Sequence, residues 1–175
     1  HTRSSAVTGV QTCALPIYYG EGHGKSTAAI GNAIRCASEG KSVIIIQFLK
    51  GKNENELAFL NRLEPEIKIF RFAKSDESFE ELSEQEQQEE AMNLRNGFNY
   101  GKKVVTTAAC DMLILDEVLG VIDEKVVAPQ EMQELFENKP DDMTLICTGR
   151  VLEDSIRPYA DEIYNIAPEK IRIDE

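Results

Sequence analysis

Histidine and tryptophan are the scarcest residue types in this chain, which has His1, His23 and no tryptophan. Catalysis by a histidine base, and metal binding by a histidine cluster, are therefore nearly excluded. The cysteines form no C-x-x-C pair, so no zinc site is expected. We expect reduced thiols that fill small core positions in a cytoplasmic protein. The four cysteines are Cys13, Cys36, Cys110 and Cys147.

Long apolar runs and clustered basic residues are also lacking. No run reaches the length of about 18 apolar residues that suggests a membrane span, so no membrane partner is expected. The chain has 31 acidic and 19 basic residues, a net charge of -12. Binding along a nucleic-acid backbone needs clustered Lys and Arg, so no nucleic-acid partner is expected. A local cationic pocket for one small anion remains compatible with this balance.

The N-terminal stretch "VTGVQTCALPI", residues 7–17, resembles a translated sequencing adapter. Pro16 cannot donate to a strand ladder and is expected only at an edge, a bulge or a strand start. We therefore expect residues 1–17 to be non-native and residues 18–175 to form a single domain. A natural but irregular N-terminus is the alternative, and "ALPIYY" can still serve as a strand.

Beyond Gly20 the pattern alternates between strands and helices. Apolar spacing predicts a helix that follows the glycine cluster and stops at Gly40, and a long helix over 84–107 that starts at a capping box. Shorter helices are predicted within 55–63, from Pro129, and within 152–161. Strands are predicted in "SVIIIQFL", "EIKIFRF", "MLILDEV", "MTLICTG" and "EIYNI". This alternation predicts an α/β fold with a mostly parallel sheet of about six strands and helices on both faces.

The glycine-rich stretch "GEGHGKST", Gly20–Thr27, is the first candidate functional motif. Glycines let a backbone turn its N–H groups inward around an anion, and the helix that follows adds its dipole. Lys25 supplies a charge for phosphate oxygens, and Ser26 a hydroxyl for Mg²⁺. The first glycine stands one place closer to the lysine than in G-x-x-x-x-G-K-[ST]. The alternative is a glycine-rich turn before a helix.

Two further motifs end predicted strands, where parallel sheets bind their ligands. "MLILDE" resembles a Walker B element that would bring Asp116 and Glu117 to Mg²⁺, and which carboxylate binds the metal stays open. With Lys25 they are the expected catalytic residues. Arg150 of "TGR" could contact phosphate, and Gln47 and Lys50 of "QFLKG" could line the same rim. The nucleotide-binding residues expected in all are Gly20, Glu21, Gly22, His23, Gly24, Lys25, Ser26, Thr27, Gln47, Lys50 and Arg150.

These motifs, together with "YADEIYNI", closely resemble the P-loop ATP:corrinoid adenosyltransferases over residues 18–170. The resemblance implies a three-layer RecA-like fold, and the short G-x-G-x-G-K-[ST] loop is a trait of that family. It also implies transfer of the 5′-deoxyadenosyl group of ATP to Co(I) of a reduced corrinoid, with release of triphosphate. ATP, Mg²⁺, the corrinoid, an electron-donating reductase and a second copy of the chain are the implied partners.

The chain departs from this pattern at two places. Many relatives have lysine where this chain has His23, and many have a G-F-T-W segment where it has "SDESFEELS". Phe72 or Phe79 could provide apolar cover for a corrin, or could pack in the core. The chain lacks D-x-H-x-x-G, so a histidine axial ligand to cobalt is not expected.

Two other functions remain open from the residues alone. A generic P-loop ATPase or small-molecule kinase would share the loop and the "DE" pair, and it would act without a corrinoid. A nucleotide-responsive corrinoid carrier would bind its ligands without turnover.

Overall fold

A six-stranded parallel sheet organises the part of the chain that the structure describes. This computed structural model describes residues 14–49 and 58–173. The strands are β1 (Pro16–Tyr19), β2 (Val43–Gln47), β3 (Ile67–Arg71), β4 (Met112–Asp116), β5 (Thr144–Gly149) and β6 (Glu162–Asn165). Their order is β3-β2-β4-β5-β1-β6, and every pairing is parallel. The predicted fold class is confirmed.

The α-helices whose two ends both lie in the described residues are α1 (Lys25–Ser38), α2 (Glu84–Thr107), α3 (Val118–Asp123) and α4 (Pro129–Glu137). Short 3₁₀ helices cover Asn61–Leu63, Phe79–Glu81 and Asp154–Tyr159. No helix within the described residues is long and apolar enough to cross a membrane.

The helices cover both faces of the sheet because successive strand residues point to opposite sides. Ile44 and Ile46 of β2 join the larger core, which contains residues of α2, α3 and α4. Ile45, between them, joins a second core with Ala29 and Ala33 of α1. The result is three layers, with the carboxyl ends of all strands at one edge.

The long helix α2 has the predicted bounds. Its N-cap, Ser83, accepts a hydrogen bond from the Glu86 amide at 3.3 Å, as the capping-box pattern indicated. Leu94 and Phe98, two of the residues at helical spacing, are fully buried.

Two elements differ from the sequence prediction. Helix α3 was not predicted, because its apolar residues continue the run of β4 without a turn signal. The segment Asp154–Tyr159 is a 3₁₀ helix with Pro158 inside it. The short helix predicted within 55–63 lies partly outside the described residues; residues 58–60 are helical, and the 3₁₀ helix Asn61–Leu63 follows them.

Strand β1 begins at Pro16 and lies inside the sheet, between β5 and β6. Proline is tolerated there because it is the first strand residue, where no ladder donor is needed. Leu15 and Ile17 are 1% and 0% exposed. The end of the stretch assigned as non-native is therefore an integral part of the core, while residues 1–13 lie outside the described chain.

Candidate active site

Helix α1 connects the glycine-rich loop to the end of β4. The loop leaves β1, and β4 lies two places along the sheet, beyond β5. Ser26, in the first turn of α1, donates a hydrogen bond from Oγ to Asp116 Oδ1 at 2.8 Å. Two motifs that are distant in sequence therefore meet, as predicted, at the carboxyl edge.

Asp116 is 2% exposed and receives a second hydroxyl. Thr148 Oγ1, at the end of β5, donates to Asp116 Oδ1 at 2.7 Å. The same oxygen of Thr148 accepts the Glu117 amide at 2.9 Å. Thr148, the threonine of "TGR", was not among the predicted site residues. The signal that could have found it is a polar residue at the end of a buried strand.

Glu117, the second acidic residue of the motif, is half-buried at the N-cap of α3. Its φ of 65° places it in the left-handed region, which is uncommon for a residue with a side chain. The chain turns there from β4 into α3. The carboxylate of Asp116 meets Ser26, and the backbone of Glu117 makes the turn.

The glycines of the loop differ from the expectation that their N–H groups all face an anion. The Gly22 amide donates to Ile166 O at 2.8 Å, and the Gly20 amide lies 3.2 Å from Gly149 O and 3.1 Å from Arg150 O. A Cβ on Gly20 or Gly22 would stand 2.4 or 2.8 Å from Ile166 O. These two glycines are required because the chain beyond β6 packs directly against the loop.

The anion cup is therefore formed by the later part of the loop. Gly24 is the N-cap of α1 with φ 108°, and Ala28 is the first residue whose amide bonds back to it. Within the described chain, the amides of residues 23–27 have no backbone acceptor. Unsatisfied amides at a helix N-terminus attract anions, and the first turn of α1 has no acidic side chain to compete.

Lys25 lies across this loop. Its Nζ donates to Gly22 O at 2.8 Å. The ammonium group is thereby held on the loop that supplies the free amides. The structure brings Lys25 and Ser26 together with Asp116, and these three are the centre of the predicted set.

The remaining predicted residues lie further out. Arg150 pairs with Glu21 at 3.6 Å, and both side chains are mostly exposed, so the pair contributes little stability. His23 and Thr27 are also exposed. Lys50 lies outside the described residues.

A row of polar residues follows Asp116 along the same edge. Gln47 at the end of β2 is 5% exposed and stands in register with Asp116 on one side and Arg71 on the other. The Nε of Arg71 is buried without an acceptor. Gln47 is one of the predicted rim residues, whereas Arg71 was not predicted because strand "EIKIFRF" carries no recognisable motif.

The oxygen atoms at this edge fit Mg²⁺. Ser26 Oγ and Asp116 Oδ1 are close together, and no donor among the described residues bonds to Asp116 Oδ2. The described chain has no group of three or more His, Cys, Asp or Glu that could hold a metal alone. One carboxylate and one hydroxyl are what Mg²⁺ uses when substrate phosphates complete its coordination.

Two adjoining cavities open at the same edge, beside α3. One of about 570 Å³ is bounded by residues that follow β4 and β5, and the other, of about 630 Å³, lies against α2. They share Arg95, Lys125 and Val126, and we call the pair the edge groove. Its apolar lining includes Leu119, Ile122, Val151, Ile156 and Phe79.

The two phenylalanines considered for apolar cover are placed differently. Phe79 lines the edge groove. Phe72 lies 5.8 Å from the Tyr100 ring and would touch a Cβ on Gly97, so it packs against α2. Of the two, only Phe79 reaches the groove.

Comparison with known proteins decides the family. The family described as "ATP:corrinoid adenosyltransferase BtuR/CobO/CobP" matches residues 11–175. The chain belongs to this ATP:corrinoid adenosyltransferase family. Two corrinoid adenosyltransferases, from Escherichia coli K12 and Salmonella typhimurium LT2, are each 28% identical over 158 residues, which cover 90% of this chain and 78% of each relative.

The fold of this adenosyltransferase family member is found more widely. A KaiC-like protein from Pyrococcus horikoshii superposes with a TM-score of 0.59 at 17% sequence identity, covering 94% of this chain and 77% of that protein. The likeness concerns the fold alone. It agrees with the RecA-like architecture expected from the sequence.

Proposed function

We propose that the protein transfers the 5′-deoxyadenosyl group of ATP to the Co(I) centre of a reduced corrinoid. The cobalt lone pair forms a Co–C bond to C5′, the C5′–O bond breaks, and triphosphate leaves with that electron pair. Cobalt is thereby oxidised from Co(I) to Co(III). The observation that carries the proposal is a phosphate loop, with Ser26 bonded to Asp116, in a chain that belongs to this family.

The leaving group has a defined place in this proposal. The amides of residues 23–27 and the Lys25 ammonium hold the triphosphate, and they stabilise the negative charge that develops as the C5′–O bond breaks. Asp116 and Ser26 would hold Mg²⁺, which supplies further positive charge to the phosphate oxygens when bound. Glu117 shapes the turn behind them.

The edge groove is the proposed position of the corrinoid. Its apolar lining would exclude water from Co(I), and its opening at the carboxyl edge would set the cobalt toward C5′.

The decisive experiment is anaerobic incubation with ATP, Mg²⁺ and chemically reduced cobalamin. We expect a photolabile product in the visible spectrum and one triphosphate for each Co–C bond. Lys25→Ala should lower the rate at least about a hundredfold, since it removes a charge from the leaving group. Lys103→Ala, an exposed change on α2, is the matched control and should leave the rate unchanged.

Two outcomes would replace this proposal with another function. Conversion of ATP to ADP and phosphate, with no Co–C bond, would identify a generic ATPase or kinase. Tight corrinoid binding without turnover, unaffected by Lys25→Ala, would identify a carrier.

We also propose, from the family likeness, that the protein is a homodimer supplied with electrons by a separate reductase. Sedimentation of the purified protein tests the first point, and a monomer at micromolar concentration would contradict it. The three described cysteines are buried thiols, which suits a reducing cytoplasm.

A further inference from the structure

Thr148 forms hydrogen bonds with both residues of the "DE" motif, Asp116 and Glu117. It is 0% exposed, at the end of the strand that separates β4 from β1. Its hydroxyl oxygen accepts the Glu117 amide at 2.9 Å. A hydroxyl has a single proton, and Thr148 directs it to Asp116 Oδ1 at 2.7 Å.

The direction of this proton decides which carboxylate oxygen remains available. Ser26 also donates to Oδ1, so two hydroxyl groups engage the same oxygen. Among the described residues no group donates to Oδ2. The Asp116 carboxylate is thus held through Oδ1, and Oδ2 remains available. Ser26 donates its hydroxyl proton to Asp116, so the lone pairs of Ser26 Oγ also remain available.

We propose that Thr148 is a positioning residue for the metal-bound nucleotide. It fixes the Asp116 carboxylate so that Oδ2 faces the phosphate cup, and it holds the left-handed turn at Glu117 through the backbone amide. Thr148 itself touches neither metal nor phosphate. This inference rests on the proposed nucleotide site, and it does not depend on what the nucleotide reacts with.

A purely structural threonine would behave differently from a positioning residue. If Thr148 only satisfied buried groups, its loss would lower stability and would weaken ATP binding equally with and without Mg²⁺. If Thr148 positions Asp116, its loss should chiefly reduce the increase in ATP affinity that Mg²⁺ produces. The ratio of the two affinities is therefore the informative quantity.

The experiment compares Thr148→Val, which keeps the shape and removes the hydroxyl, with Thr148→Ser, which keeps the hydroxyl. ATP affinity is measured by calorimetry in Mg²⁺ and in EDTA. We expect Thr148→Val to reduce the Mg²⁺-dependent gain about tenfold, which corresponds to one hydrogen bond to a charged group, and to change the EDTA affinity less than about twofold. Thr148→Ser should retain most of the gain. Thr144→Val, half-buried at the start of the same strand, is the matched control and should retain all of it.

Several results would overturn the inference. They are an unchanged Mg²⁺-dependent gain in Thr148→Val, an equal loss of affinity in Mg²⁺ and EDTA, and the absence of any such gain in the wild-type protein. If Thr148→Val does not fold, Thr148→Cys replaces it, because a thiol is a weak donor of similar size. A wild-type protein that binds MgATP without adenosylating a corrinoid would refute the proposed function. The affinities of the Thr148 variants in Mg²⁺ and in EDTA would still test the role of Thr148.

Discussion

Replacing Gly22 with alanine tests how closely the short phosphate loop packs against the chain beyond β6. Gly22 is not among the glycines with positive φ, so alanine would fit its backbone without strain. The obstacle is contact: the added Cβ would stand 2.8 Å from Ile166 O and 3.1 Å from Ile166 C and Cγ2. Gly22→Ala therefore perturbs chiefly the packing of the loop on the chain beyond β6.

The magnitude follows from that distance. Ordinary Cβ contacts begin near 3.4 Å, so Ile166 and Gly22 must separate by 3.4 minus 2.8, or 0.6 Å. The Gly22–Ile166 hydrogen bond, now 2.8 Å, would lengthen beyond a good bonding distance. The lost bond contributes about 1 kcal/mol and overpacking about 1–3 kcal/mol. We expect the free energy of unfolding to fall by about 2 kcal/mol.

Urea unfolding and ATP calorimetry measure the two consequences. The urea midpoint should fall, and ATP affinity should drop about tenfold because the amides of the cup move with the loop. Gly31→Ala is the matched control. Gly31 is exposed within α1, no atom lies within 4 Å of its added Cβ, and alanine there should stabilise the protein by about 0.8 kcal/mol.

An unchanged midpoint for Gly22→Ala would refute the reasoning, since it would mean that the contact with Ile166 relaxes freely. A lower midpoint with unchanged ATP affinity would show that the substitution lowers stability without changing the shape of the cup. In that case the loop would not depend on Ile166 for its binding geometry.

Three further predictions concern charge and burial. Asp116→Asn should remove most of the Mg²⁺-dependent gain in ATP affinity in calorimetry, because the amide can still accept both hydroxyl protons and only the charge is lost. Burial raises the pKa of the Cys110 thiol to about 12 and also raises the pKa of Cys147, so in a Cys13→Ser, Cys36→Ser background both should react with a thiol reagent at about pH 8 only after unfolding. Fast reaction of the folded protein would contradict this. The Arg95 hydrogen bond lowers the pKa of Glu131, so part of the stability lost in Arg95→Met, measured by urea unfolding, should depend on pH. That part should be full above the usual pKa of 4.5 and disappear as pH falls through the lowered value, whereas the part due to the lost bond from Arg95 to Val126 O should persist. Because both side chains are partly exposed, the pH-dependent part should stay below about 1 kcal/mol, and a stability difference that does not change with pH would refute the coupling.

Local signals in the sequence were sufficient for the elements with clear ends. The bounds of α2 could be predicted because Ser83 and Glu86 mark its start and its apolar residues recur at helical spacing. Helix α3 could not, because its turn is made by Glu117 in a left-handed conformation, and no glycine or proline marks the position. The apolar run of β4 therefore continued into α3 without a visible break.

The same distinction holds in the site. The motifs that contain Lys25, Ser26 and Asp116 could be recognised because their residue types indicate phosphate and metal binding. The structure brings these three residues together. Thr148 and Ile166 could not be assigned because their roles depend on long-range contacts. Ile166 acts through its backbone, which any residue could provide, and Thr148 acts through a bond across two strands. Pairings of this kind become visible only when the register of the sheet is known.

The two hydrogen bonds of Ile166 explain how a shortened loop can keep a complete cup. Its amide donates to Tyr19 O at 2.7 Å, and its carbonyl accepts the Gly22 amide at 2.8 Å, so one peptide unit bridges the end of β1 and the middle of the loop. Tyr164 stacks on Tyr18 at 5.0 Å and holds β6 in place, although that strand is exposed along its length. The first loop glycines are thus bonded to protein, and in the proposed function the triphosphate receives only the later amides. Through the two hydrogen bonds of Ile166, the short loop and the end of β6 form one structural unit.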